Sequence, residues 1–188
     1  MKKIFILICA FLAISNLVLS QDTGTQKTTS FNMGIGGGIE HFNGLVGLNA
    51  EFQTNSKLLF CGTVGLGGWG VKSSLGARYF LKNEKGFNLG IFVAYSSGMK
   101  QTYKLTTATD DYDLNLKPVI EPILVLSYRL PVGARVILNF DLDYGRSFPS
   151  KPYTEINNKV LDNVSLLALN IQKPGGIGFG GGFLFRLM

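Results

Sequence analysis

Cysteine, histidine and charge are all scarce in this chain. It holds two cysteines in 188 residues, and only Cys61 lies beyond residue 20. An internal disulfide is therefore excluded for the remainder, whose stability must come from packing and backbone pairing. One histidine, His41, far from Cys61 in sequence, does not make a zinc site, whose ligands come in closely spaced pairs. Charged residues make up 16% of the chain and form no Lys/Arg run of the kind that grips nucleic acid. Long apolar runs are missing too. Beyond residue 20 the longest aliphatic stretches are Ile123–Leu126 and Leu166–Leu169, far short of the roughly 20 apolar residues a membrane-spanning helix needs. What is plentiful is hydrophobic residues (46%), with 24 glycines, 14 phenylalanines and 7 tyrosines, a mixture too apolar and aromatic for disorder. The length suits one domain.

The N-terminus reads as an address. Lys2 and Lys3 form a positive start, Ile4 to Ile14 an apolar stretch, and Val18-Leu19-Ser20 ends in a small residue before Gln21. The expectation is a cleaved secretory signal over 1–20, a short segment over 21–29, and one folded domain over 30–188. Cys9 lies inside the apolar stretch behind Ile8, where a lipoprotein signal would need a small residue, so no lipid anchor is expected. Loss of the signal removes Lys2 and Lys3 and lowers the formal charge from +6 to +4.

Beyond it, apolar residues recur at every second position, the period of a strand. The segments are about 30–41, 44–54, 57–69, 71–82, 86–99, 118–130, 134–146 and a last one over Ile177–Leu187. Val136, Leu138, Phe140, Leu142 and Tyr144 alternating with Arg135, Asn139, Asp141 and Asp143 is the cleanest case. The third segment is apolar in both registers. Eight strands of about 9–14 residues match the number and length that close a small barrel across a bilayer. Loop parity agrees. The connections after even strands (55–56, 83–85, 131–133) are short, and the long ones (about 100–117 and 147–173) follow odd strands, as a barrel with both termini on the inner side requires. Within the second long loop, Val160, Leu161, Val164, Leu167 and Ile171 have helical spacing, while Asn163–Gln172 is alternatively an extension of the last strand.

The apolar face of such a barrel points either outward into lipid or inward around a ligand, and periodicity alone does not choose. An outward face is favoured by Tyr79, Tyr95, Tyr128 and Tyr144, which lie on it near strand ends as an aromatic girdle would. The opposite face carries glycine and mixed charge suited to a crowded lumen. Strand direction puts Glu51, Arg78, Lys82, Arg129, Arg135 and Arg186 toward the inner end of the lumen, and Glu40, Lys72, Glu121, Asp141 and Asp143 toward the outer end. The plain reading is a paired, buried charge network that plugs and stiffens the barrel; the sharper one is a narrow ion path.

The last strand ends Gly180-Gly181-Gly182-Phe183-Leu184-Phe185-Arg186-Leu187. With the strand pattern, this resembles the small eight-stranded outer-membrane β-barrels of the OmpA/OmpX kind. The resemblance implies an all-β, eight-stranded antiparallel up-and-down transmembrane β-barrel in a Gram-negative outer membrane. It also implies that Gly182, Phe185 and Leu187 form the signal read by the barrel-assembly machinery. Gly180, where a polar residue is usual, and Met188, where an aromatic is usual, depart from that signal. Outer-membrane lipid and the assembly machinery are the partners implied, for a monomer without cofactor.

Chemistry has few candidates. A nucleophile–His–acid site would have to use His41, expected at the outer rim near Ser73, Ser96 or Ser97, yet Phe42-Asn43 follows it where the outer-membrane deacylases place a serine two residues on. Gly34-Ile35-Gly36-Gly37-Gly38 has no helix or P-loop lysine after it and reads as lumen-face glycine. Asp110, Asp111 and Asp113 beside Tyr103 and Tyr112 lack an EF-hand frame. The functional expectation is a non-enzymatic outer-membrane barrel with a structural or surface-interaction role, meeting an extracellular partner through its two long loops. The alternatives are a periplasmic or secreted lipocalin-like carrier of an apolar ligand, and a lipid-modifying membrane enzyme.

Overall fold

The computed structural model describes residues 29–55, 57–82, 85–99, 103–106, 111–149, 152–155 and 163–187. The signal segment 1–20 and most of 21–29 lie outside them. Eight strands close into an antiparallel up-and-down barrel: β1 (Ser30–Ile39), β2 (Val46–Gln53), β3 (Leu58–Gly67), β4 (Gly70–Phe80), β5 (Gly86–Ser96), β8 (Val119–Val132), β9 (Val136–Gly145) and β11 (Gly176–Arg186). These are the eight segments read from the sequence. The first and last strands pair from Asn32↔Arg186 to Ile39↔Phe179, which closes the ring and leaves no open sheet edge.

The two long loops are more ordered than their sequence suggests. Between β5 and β8 lie β6 (Tyr103–Thr106) and β7 (Asp111–Leu116), and between β9 and β11 lie β10 (Tyr153–Glu155) and a helix, α1 (Asn163–Gln172). Strands β6, β7 and β10 form a separate three-stranded sheet beyond the barrel rim. The strand extension considered for 163–172 is thus a helix, as its three- and four-residue apolar spacing favours. Leu169 of α1 is buried with Trp69, Leu114, Leu116 and Val119, an apolar cluster that ties this cap to the β3–β4 turn.

Burial alternates most regularly along β2, β5, β8 and β9. On β8, Val119, Glu121, Ile123, Val125, Ser127 and Arg129 are buried while the residues between them are exposed. The exposed register is the apolar one: Ile35, Leu48, Leu75, Ile91, Leu124, Leu142 and Phe183 all face outward. The inward register is not purely polar. Leu59, Cys61, Phe80, Phe92, Ala94, Ile123 and Val125 form a cluster inside the lumen together with Phe42. Both registers of β3, β5 and β8 are apolar in places, so period two marked the strands there without marking the face.

Glycine lines the opposite wall. In β1 and β11, Gly36↔Gly182, Gly37↔Gly181 and Gly38↔Gly180 are paired neighbours. A Cβ at Gly180 would stand 2.6 Å from the His41 ring and 2.6 Å from the Gly37 carbonyl, and one at Gly36 would stand 2.6 Å from the Asn43 side-chain nitrogen. These glycines leave room for another segment to enter the lumen. Gly180→Ala is expected to cost ~1–3 kcal/mol through overpacking, read as a lower urea midpoint in detergent micelles. Gly62→Ala, whose Cβ meets only Leu75 at 3.3 Å, should cost much less.

Candidate functional site: the plugged lumen

The segment that enters is the β1–β2 connection. His41 and Phe42 are fully buried and Asn43 nearly so, which overturns the placement of His41 at an outer rim. A polar turn was expected to point at solvent. It folds inward because the glycine wall leaves a volume that an isolated eight-stranded ring must fill. Two left-handed residues bracket the inward turn, Glu40 at φ 54° and Gly44 at φ 78°. Such a conformation is strained for glutamate and free for glycine. The turn is held by Gly44 N–H donating to the His41 carbonyl (2.9 Å) and Gly38 N–H to the Gly44 carbonyl (3.0 Å).

Once inside, Phe42 stacks on Phe92 with ring centroids 4.5 Å apart. The Arg78 guanidinium lies 5.3 Å from the Phe42 ring centre and 5.5 Å from that of Phe92, a cation–π arrangement in a desolvated setting. Its charge is balanced by Asp141 at 3.3 Å. Asp141 also meets His41 Nε2 at 3.2 Å and accepts the Ser127 hydroxyl. Asn43 N–H donates to His41 Nδ1 (3.3 Å), which fixes the tautomer with the Nε2 hydrogen toward Asp141. Both ring nitrogens are thereby engaged. Of the serines expected near His41, Ser96 is buried on β5 and shares a cavity with it, whereas Ser73 stands on the outward register of β4 and Ser97 donates to the Gly98 carbonyl.

Two further ion pairs cross the lumen. Arg129 meets Glu51 at 2.9 Å toward the turn end, with Asn139 donating to the same carboxylate at 3.4 Å. Lys72 meets Glu121 at 3.0 Å toward the loop end. Of the charges expected to line the lumen, Glu51, Lys72, Arg78, Glu121, Arg129, Asp141 and Asp143 are buried there and Glu40 is half-buried at its mouth. Lys82 and Arg135 are not part of it. Both are exposed in turns just past the strand ends, and Arg186 is half-buried at the end of β11. The two expected charge layers are not separate either, because Arg78 of one pairs with Asp141 of the other.

At the loop end a cavity of about 360 Å³ opens, walled by Glu40, His41, Trp69, Lys72, Ser96 and Met99. Burial pushes the Glu40 carboxyl up to about 7; Lys72 opposes the shift, the Glu121 charge adds to it, the Gly175 N–H opposes it and the Asp143 charge adds again. Among the described residues no group of three His, Cys, Asp or Glu side chains gathers to hold a metal ion. Asp110 lies outside the described residues, while Asp111 and Asp113 sit on β7, their backbones paired with Thr106 and Lys104.

On the outer surface, Tyr79 and Tyr128 stand near the turn end and Tyr95 and Tyr144 near the loop end, all 40–58% exposed. Phe87 meets Tyr128 edge-to-face at 5.0 Å. Phe185 and Leu187 are exposed on the outward register of the last strand, and Gly182 belongs to the inward one. No protein-family model, curated protein or solved structure matches the chain. The class that the fold itself defines is a closed eight-stranded up-and-down barrel with an apolar exterior and a filled, charge-paired lumen.

Glu51→Gln is expected to cost ~3–5 kcal/mol of stability by leaving the Arg129 guanidinium buried without a counter-charge. Adding Arg129→Met should recover most of that loss. Equilibrium unfolding of the single and double variants reads both.

Proposed function

We propose that this chain is a non-enzymatic outer-membrane β-barrel protein, with a structural or surface-interaction role, that spans the bilayer as a monomer and presents its loop-end cap to an extracellular partner. The observation that carries this reading is the orientation of the two faces. Leu75 and Ile177 are each 73% exposed, in a continuous outward band of large apolar side chains, while Arg78 and Glu51 are wholly buried inside. A water-soluble barrel has the reverse arrangement, because an exposed apolar band of this extent has no partner in water. Tyrosines at both ends of the band suit the two headgroup layers of a bilayer.

The same observation weighs against the lipocalin-like carrier, since the lumen that would hold an apolar ligand is occupied by ion pairs and by the inward turn. The engaged nitrogens of His41 weigh against a lipid-modifying enzyme using that residue. The cap built from β6, β7, β10 and α1 is the surface offered to a partner, and Gly182, Phe185 and Leu187 are the residues offered to the assembly machinery. The secretory signal over 1–20 fits this route.

Leu75→Arg tests the proposal. In a bilayer, an arginine on the lipid face near mid-height is expected to cost ~2–4 kcal/mol and to reduce recovery of the heat-shifted folded band from outer-membrane fractions. The same change at a site 73% exposed to water would leave folding and yield unaltered, and recovery of wild type and variant alike as soluble protein would reject the membrane reading.

A further inference from the structure

The inward turn is built like a movable part. Its two ends are the left-handed residues Glu40 and Gly44, where a change of backbone angle is absorbed at two points while β1 and β2 stay paired. Its outward removal leaves the Arg78 charge paired, because Asp141 keeps Arg78 at 3.3 Å and the Ser127 hydroxyl when His41 leaves, while Asp143 exchanges the Phe42 N–H for the water that enters. The wall behind it is glycine, so the vacated volume is a smooth vestibule bounded by Gly36, Gly38 and Gly180 on one side and by Phe92 and Arg78 on the other. Below it the Arg129–Glu51 pair, with Arg129 over the Phe80 ring, still closes the turn end.

We propose that residues 40–44 form a plug that swings out of the lumen toward the loop end, opening a blind vestibule, and that ionisation of Glu40 drives it outward. Glu40 faces Lys72 on β4, Glu121 on β8, Asp143 on β9 and the Gly175 N–H before β11. Among the described groups acting on Glu40, Lys72 is the one cation and is already paired with Glu121 at 3.0 Å, so an ionised Glu40 adds negative charge beside Glu121 and Asp143 at a half-buried site. In the open state the carboxyl meets water and recovers its ordinary acidity. The sign follows. The raised value, about 7 against 4.5, means that the closed state is fully favoured below pH 4.5, loses ground as pH rises toward 7, and loses no more above it. Acid locks the plug; neutral and alkaline pH release it. This inference concerns the lumen alone and holds whether or not the outer face meets lipid.

Cys61 is a native reporter, buried in the same lumen cluster as Phe42. The full chain in detergent micelles is treated with a water-soluble methanethiosulfonate from pH 5 to 8, and labelling is followed on the Cys61 peptide by mass spectrometry. The thiol's own ionisation accelerates wild type and Glu40→Gln equally, so the ratio of their rates isolates the plug. That ratio is expected to grow by on the order of tenfold to a hundredfold across the range. A ratio independent of pH overturns the proposal. Should Glu40→Gln fail to give a heat-shifted folded band, protection of the Phe42 and Asn43 amides in wild type, corrected for intrinsic exchange, decides instead. Protection falling from pH 5 to 8 supports the plug, and constant protection refutes it.

Discussion

The inward turn and the aromatic stack inside this barrel are arranged around the Arg78 guanidinium. A wholly buried cation is tolerable only with a counter-charge and polarisable neighbours. Asp141 across the lumen supplies the charge and the faces of Phe42 and Phe92 supply the rest. Phe42 reaches its place only because the β1–β2 turn bends inward, and the turn bends inward only because β1 and β11 present glycine there. One cation thus links four things: the glycine seam, the left-handed residues at Glu40 and Gly44, the tautomer of His41, and the aromatic stack on β5.

The lumen is consequently filled by side chains of both kinds. Apolar side chains from β3, β4, β5 and β8 occupy one wall, the plug fills the space against the glycine wall, and three acid–base pairs span the gap at different heights. Such a core is the inverse of a soluble domain. Polarity sits where packing is tightest and hydrophobicity sits on the exterior, the partition on which the proposed membrane setting rests. The cap at the loop end has the ordinary sense, with Trp69 and Leu169 inside.

Much of the barrel was legible because strand alternation and loop parity are long-range patterns that survive local noise. Val136 to Tyr144 could be nothing but a half-buried strand. The plug was illegible for the opposite reason: Glu40-His41-Phe42-Asn43-Gly44 reads as any polar turn, and its burial depends on a void that the β1 glycines create only together with β11 glycines more than 130 residues away in the chain. A signal did exist. Glycine repeated on the lumen register of β1 and β11 announces a volume that some other segment must fill. The inward Phe92, Ile123 and Val125 were missed because Ile91 to Val93 and Ile123 to Leu126 are apolar in both registers, and Lys82 and Arg135 were over-assigned because alternation was carried past the strand ends into the turns. The cap sheet pairs segments from two different loops, a contact no local pattern encodes.

Methyl NMR of the protein in lipid nanodiscs addresses the partition of faces most directly. The account predicts cross-peaks between lipid acyl chains and the methyls of Leu75, Ile91, Leu124 and Leu142, and none to those of Leu59, Ile123, Val125 and Leu184. Acyl-chain contacts on the second set, or water contacts in place of lipid on the first, would contradict it.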